Sequence, residues 1–294
     1  MQELVKQHVL EGAHTGHVNA VTYEPHGIYL LSTGSDKKIA LWKDDQQLLL
    51  CLDSGHTREV MDVQVSEIGG HFASASADRL LFLWDAEKMR VIRRYHGHEG
   101  RINAVAFFKD TLLASASYDR TTRLWDLRQR DQVCILGEAK DSVEGVQVSS
   151  HLIQTVSSDG CLRSWDARNR RCTTDFISTN PLTSCHLNQD DECTLVAGMD
   201  GLSLVDLETG TKLITYKGAK IQKYRIRARL SPTEEFLASG SEDNNVLIWN
   251  FLDENPRILP TRSPILDVCW KPSVNKDSVL TAACLDGSIV VCTV

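Results

Sequence analysis

Residues 112–126 read LLASASYDRTTRLWD, and this stretch decides the fold. Small and apolar residues come first at a period of two, the mark of a half-buried strand. Tyr118 and Asp119 then make a tight turn, and a second alternating run closes on Trp125. Working outward, the pattern recurs at 30–43 (LLSTGSDKKIALWK), 72–85 (FASASADRLLFLWD), 153–166 (IQTVSSDGCLRSWD) and 237–250 (LASGSEDNNVLIWN). Degenerate copies stand at 195–206 (LVAGMDGLSLVD) and 280–294 (LTAACLDGSIVVCTV). The closing positions are Trp42, Trp84, Trp125, Trp165, Val205, Trp249 and Cys292, spaced by 42, 41, 40, 40, 44 and 43 residues.

A length of 294 residues would suggest about two domains. The repeat overrides that, because seven units of about 42 residues leave no remainder for another domain. Their boundaries fall near 11–50, 51–92, 93–133, 134–173, 174–214, 215–256 and 257–294. One four-stranded sheet cannot bury both its faces, so neighbouring sheets must stack, and seven closing into a ring form an all-β, seven-bladed propeller. The last unit stops at Val294 after its third strand. Residues 5–10 precede the first unit as an orphan strand, and they are expected to pair with residues 288–293 and close the ring.

The repeat resembles the WD-repeat pattern over essentially the whole chain, on several correlated positions per unit. Three later stretches, EAKDSVEGVQVSSHLIQTVSSDG, CTLVAGMD and TYKG followed by QKYRIRARLS, resemble the mitogen-activated protein kinase organiser family of small seven-bladed scaffolds. That resemblance implies a kinase-cascade scaffold also found among spliceosome components, present in cytoplasm and nucleus.

Composition narrows the remaining classes. The chain is 42% apolar and 24% charged with 7 prolines, which leaves no room for long disordered linkers. No apolar run approaches the roughly 20 residues of a membrane span, and the polar start MQELVKQHVL is unlike a signal peptide. A soluble, intracellular monomer with no membrane partner is expected. Nine cysteines without a C-x-x-C pair then read as free thiols rather than bridges or a zinc site. The net charge of −7 argues against direct, sequence-specific nucleic-acid binding; RNA contact is expected only within a ribonucleoprotein.

Three units repeat His, Ser, Asp and Trp at fixed intervals: His14, Ser32, Asp36 and Trp42; His56, Ser74, Asp78 and Trp84; His98, Ser115, Asp119 and Trp125. A hydrolase needs one triad with an oxyanion site and a cleft, whereas three copies point to architecture. The expected arrangement is a buried chain in which Trp N–H donates to Ser, Ser to His, and His to Asp. The chain degrades along the sequence: Ala139 and Ala219 stand at the His positions of units four and six, Val196 and Val205 replace Ser and Trp in unit five, and unit seven keeps Asp286 alone. Rigid polar staples in the first three blades and mainly apolar packing in the last four are expected. No catalytic residue, cofactor or metal is implied.

Partners are expected on the top rim, where the His-containing loops and the Asp turns converge. The exposed positions should be the third and fifth residues after each His and the residue before each turn Asp. Among these Glu59, Met61, Arg101, Asn103, Tyr118, Met199, Leu266 and Leu285 stand out, with Tyr224 estimated for the out-of-register sixth unit. Arg and Tyr dominate interface energetics, so a protein partner fits better than a small molecule. Residues 211–229 carry seven basic side chains and no acid. Lys217, Lys220 and Lys223 lie in the loop entering unit six, and Arg225, Arg227 and Arg229 should alternate along its innermost strand into the channel. Asp62 and Asp267 are expected as counter-charges through solvent, with docking of an acidic peptide or an RNA backbone as the functional alternative.

On the underside, the strings Trp125-Asp126-Leu127-Arg128 and Trp165-Asp166-Ala167-Arg168 resemble those of cullin-RING ligase substrate receptors. Arg128 and Arg168 would then be the adaptor contacts. The main expectation is a non-enzymatic scaffold for kinase-cascade members and spliceosomal proteins; a ligase substrate receptor is the alternative.

Overall fold

Residues 7–44, 46–109, 111–167, 171–272 and 278–294 are described by a computed structural model. They form seven four-stranded antiparallel sheets. The innermost strand of each sheet packs on that of the next, and the seventh (Ile265–Trp270) packs on the first (Val18–Tyr23), so the ring is closed. Blades one to six lie within residues 18–53, 60–95, 102–136, 143–176, 182–216 and 228–260.

Closure happens as the sequence expects. The strand Gln7–Leu10 pairs antiparallel with Ile289–Thr293, opposing Gln7 to Cys292, His8 to Val291, Val9 to Val290 and Leu10 to Ile289. Val5 and Lys6 lie outside the described residues. This strand covers what would be an exposed sheet edge. Across the same seam, the Tyr23 hydroxyl and Thr281 Oγ1 share a hydrogen bond of 2.7 Å between blades one and seven.

The alternating runs are buried on both faces because each blade is sandwiched by two others. Leu113, Ala114, Ser115 and Ala116 of blade three are all inaccessible to solvent. The apolar clusters straddle blades: Ala104 and Ala106 pack with Val143 and Val146, and Val156 and Leu162 with Leu182 and Val196. Burying a Val or Leu side chain contributes about 1.5–3 kcal/mol, so the ring is held chiefly by stacking between sheets. All nine cysteines are free thiols, and Cys185, Cys269, Cys284 and Cys292 are buried.

Six innermost strands carry a one-residue bulge, at Asn19, Met61, Asn103, Glu144, Thr183 and Leu266. A bulged residue drops out of its own ladder, which frees its carbonyl and re-aims its side chain. The Asn19 amide donates to the Val60 carbonyl at 2.9 Å, Asn103 to Val143 at 2.8 Å, and the Thr183 hydroxyl to Ile226 at 2.8 Å. Each is a latch to the following blade.

Blade six departs from the sequence expectation. Its innermost strand is only Ala228–Leu230, so Arg229 alone of the three arginines lies in it. Arg227 turns its backbone N–H to the Leu266 carbonyl of blade seven instead of its own sheet.

Candidate functional site

The repeated quartets occur as hydrogen-bonded chains. His14 Nδ1 lies 3.0 Å from Asp36, its Nε2 lies 2.9 Å from Ser32 Oγ, and Trp42 donates to that oxygen at 2.9 Å. The His56, Ser74, Asp78 and Trp84 distances are 3.0, 2.9 and 2.9 Å, and those of His98, Ser115, Asp119 and Trp125 are 2.7, 2.7 and 2.8 Å. With Trp donating to Ser, the Ser proton goes to Nε2 and the Nδ1–H to the carboxylate. Each Asp also accepts the N–H that follows the His and the N–H two residues beyond itself. Burial alone would raise Asp119, but the bonds from His98 and Thr121 outweigh it and hold the carboxyl far below its usual range. Burial lowers His98, keeping the imidazole neutral. Ser32, Ser74 and Ser115 are completely buried, so no acyl group can reach a hydroxyl. The quartets are structural.

The later blades correct the expectation of bare packing. In blade four Arg163 replaces the missing His, gripping Asp159 at 2.7 and 3.2 Å and Ser157 at 2.7 Å. In blade five Asp200 accepts from the Ser178 hydroxyl and, at 2.6 Å, from the Asn180 amide. Blade six has lost its buried relay. Ser239 donates to a backbone carbonyl, and the buried Trp249 N–H has no partner among the described residues. In blades four and five the Asp staple on the rim therefore survives where the His–Ser–Trp relay does not.

The top rim follows one backbone rule. The N–H of the residue before the turn Asp donates to the carbonyl three residues after the His position: Ala77 to Glu59, Tyr118 to Arg101, Met199 to Pro181 and Leu285 to Pro264. This sets Arg101 beside Tyr118, with the guanidinium 5.3 Å from the ring centroid. Glu59, Arg101, Tyr118 and Met199 are exposed, while Met61 and Leu285 are half-buried. Asn103 and Leu266 are buried. The fifth-residue position is the bulge in these blades: Asn103 turns its amide to Val143 of the next blade and Leu266 is covered, whereas Met61 at the same position still reaches the groove. Tyr224 is also misplaced. Glu242 donates its N–H to the Lys220 carbonyl, so Lys220 holds the blade-six position. The Glu242 carboxylate instead gathers the N–H groups of Gln222, Lys223 and Tyr224 at 2.8, 2.5 and 2.9 Å.

The channel arginines are engaged directly and not through solvent. Arg225 Nη1 donates to the bulge carbonyls of Asn103 and Glu144 at 2.5 and 2.8 Å, and Nη2 to Met61 at 3.4 Å. Arg227 binds Asp62 at 2.6 Å and Asp267 at 3.3 Å, and Arg229 lies 3.6 Å from Asp267. Burial, then the charge of Arg227, lowers Arg225 to about 10, so it stays cationic at neutral pH. Burial and the nearby Arg229 push His186 down to about 3. Arg225 and Arg227 thus reach across the ring to blades two, three, four and seven. The expectation of counter-charges acting through solvent is corrected: Asp62 and Asp267 pair with Arg227 directly.

An accessible groove of about 1210 Å³ runs across the tops of blades one to three. Glu59, Met61, Arg101 and Tyr118 line it together with Lys37, Arg58 and Arg79. The last three were missed by counting from His. Arg58 stands two residues after His56, a position the count skipped, whereas the signal for Lys37 and Arg79 was the residue directly after each turn Asp. That position has positive φ in all seven blades, at Lys37, Arg79, Arg120, Gly160, Gly201, Asn244 and Gly287. Blades four to seven fill it with Gly or Asn, which adopt the left-handed conformation cheaply, whereas Lys or Arg there costs roughly 1 kcal/mol. Of the underside arginines, Arg128 is exposed, while Arg168 lies outside the described residues.

Fold and site together define a closed WD-repeat propeller with a structural polar core and an open, charged top groove. The chain belongs to the WD40 family: the model for "WD domain, G-beta repeat" matches residues 5–43, 47–85, 89–126 and 210–250. It is 37% identical to rat WD repeat domain-containing protein 83, over 81% of this chain and 76% of that protein. It is 34% identical to an uncharacterized WD repeat-containing protein of Schizosaccharomyces pombe, over 90% and 91%. Pre-mRNA-splicing factor cwf17 of the same yeast is 28% identical over 84% of this chain and 76% of that factor.

Proposed function

We propose that this protein is a non-enzymatic scaffold, monomeric in itself, that assembles components of a mitogen-activated protein kinase cascade and associates with the spliceosome in pre-mRNA splicing, in cytoplasm and nucleus. The Arg101–Tyr118 pair carries the proposal: an exposed guanidinium over an exposed aromatic ring, on a rigid rim beside an open groove. These are the residue types that anchor protein interfaces. The resemblance of the later units to the kinase organiser family and the likeness to a splicing factor support the choice of partners. The mechanism is geometric. A stiff disk holding two partners raises their effective concentration towards the millimolar range with no chemistry of its own.

Affinity purification followed by mass spectrometry tests this, comparing the wild type with Arg101→Ala/Tyr118→Ala. Kinases of one cascade and splicing factors should be recovered with the wild type and depleted with the double variant, whose melting temperature stays near wild type. Recovery of neither class overturns the proposal. Undiminished recovery with the variant removes this face from it.

A further inference from the structure

The groove has a chemical character that the scaffold role alone does not require. Lys37, Arg58, Arg79, Arg101 and Arg120 are all exposed around it. Among the described residues none of them is ion-paired. The exposed acids beside them are Glu59, Glu99 and Asp141, while the half-buried carboxylates of Asp36, Asp78 and Asp119 are held by their histidines and by backbone N–H groups. Five cations outside any ion pair thus meet three exposed acids in one place on a chain whose net charge is −7.

The backbone points the same way. Three successive blades put Lys37, Arg79 and Arg120 at φ values of 68, 72 and 68°, where the other four accept Gly or Asn. Three neighbouring repeats thus place a cation on the same rim at a position where Gly or Asn would relax the backbone. Between the cations lie Tyr118 and the half-buried Met61, which offer an apolar seat.

We propose that this groove binds an anionic segment of a partner protein, an extended stretch with clustered carboxylates or phosphorylated side chains. Arg58, Arg79 and Arg101 take the anions as charge-assisted forks, and Tyr118 and Met61 receive an apolar side chain between them. This rests on the scaffold reading and specifies what the groove recognises. A peptide fits better than RNA because Glu59, Glu99 and Asp141 interrupt the positive field that a continuous phosphate backbone would need.

The test uses the full chain and four labelled probes, read by fluorescence anisotropy. They are a short peptide with glutamates clustered around a leucine, the same peptide with phosphoserines, its glutamine counterpart, and an oligouridine. At least one anionic peptide should bind, at least tenfold tighter than the glutamine peptide and the oligouridine, with affinity falling steeply as salt rises. Whichever of the two binds identifies the anion. Arg58→Glu/Arg79→Glu should weaken that binding at least tenfold, and Arg257→Glu, on the outer strand of blade six, should not. Arg79→Gly relieves the positive φ, so it should keep the melting temperature while weakening binding. Equal binding of the glutamine peptide, preference for the oligouridine, no binding of either anionic peptide, or indifference to the charge reversals overturns the proposal. If the anionic peptides fail while Arg101→Ala/Tyr118→Ala still depletes cellular partners, the chemistry is wrong and the scaffold stands.

Discussion

Arg227 and Asp62 stand 165 residues apart in the chain, yet the guanidinium donates to the carboxylate at 2.6 Å across the centre of the ring. Arg227 also reaches Asp267 at 3.3 Å. The two carboxylates accept the backbone N–H groups of Val105 and Val21 at 2.9 and 3.1 Å. One side chain of blade six is thereby tied to blades two and seven, and through their acids to blades three and one.

Removing that cation should be costly, since Asp62 and Asp267 are almost fully buried. Arg227→Leu leaves Asp62 without its cation and Asp267 with Arg229 alone, and breaking a buried pair in this way destabilises by about 3–5 kcal/mol. Thermal unfolding should show a fall of roughly 10 °C. The Arg227→Leu/Asp62→Leu double variant should lose less than the sum of the singles, because the two residues share one interaction. A loss for Arg227→Leu below about 1 kcal/mol would show the channel bridge to be dispensable.

The quartets give a second prediction. Asp119→Ala orphans the His98 Nδ1–H and two backbone N–H groups, a cost of about 2 kcal/mol and a fall in Tm of roughly 4–8 °C. Ser115→Ala should cost a similar amount by orphaning the Trp125 N–H. If neither variant moves Tm, the relay is not what secures the blade.

Acid should destabilise the ring in two stages. His98 has a folded pKa lowered by burial, so below about 6.5 the unfolded chain takes a proton that the folded one refuses, and stability falls as pH falls. Asp36, Asp78, Asp119 and Asp159 are held below the usual carboxylate range; burial opposes this, but hydrogen bonds from His14, His56, His98 and Arg163 prevail. Their contribution is complete above about pH 4 and is lost below it. Melting curves from pH 7.5 downward should show a shallow decline and then a steep one. A Tm flat from pH 7 to 3 would contradict both stages.

Amide exchange should be slowest in blades two and three, which hold the full relay, and faster in blades five and seven, which keep only rim bonds such as Ser288 to Asp286 at 2.6 Å. Exchange mapped by peptide mass spectrometry reads this directly, and the reverse order would refute it.

Much of this was legible in the chain. The period of two within each unit and of about 42 residues between units reports local burial, and local burial is what a sequence encodes directly. The seven sheets and the quartets follow from residues a fixed distance apart in one repeat, and closure by the leading strand from the fourth strand that the last unit lacks. The top-face positions were only half legible. Counting from His places Arg101 and Tyr118 correctly, but it cannot see the bulges that bury Asn103 and Leu266, since a bulge is a property of the pairing with the adjacent strand. The turn cations Lys37, Arg79 and Arg120 were written in plain view after each Asp. They gained meaning only when the backbone showed positive φ in all seven blades.

By itself the sequence determined the repeat, the ring and the buried polar relays, because each depends on neighbours within one unit. The tertiary structure alone decided that the basic run ending at Arg229 turns inward to lock the channel while other cations meet in an open groove. The physical reason is distance: Arg225 to Asn103 spans 122 residues, and no local pattern specifies which charges a closed ring brings face to face.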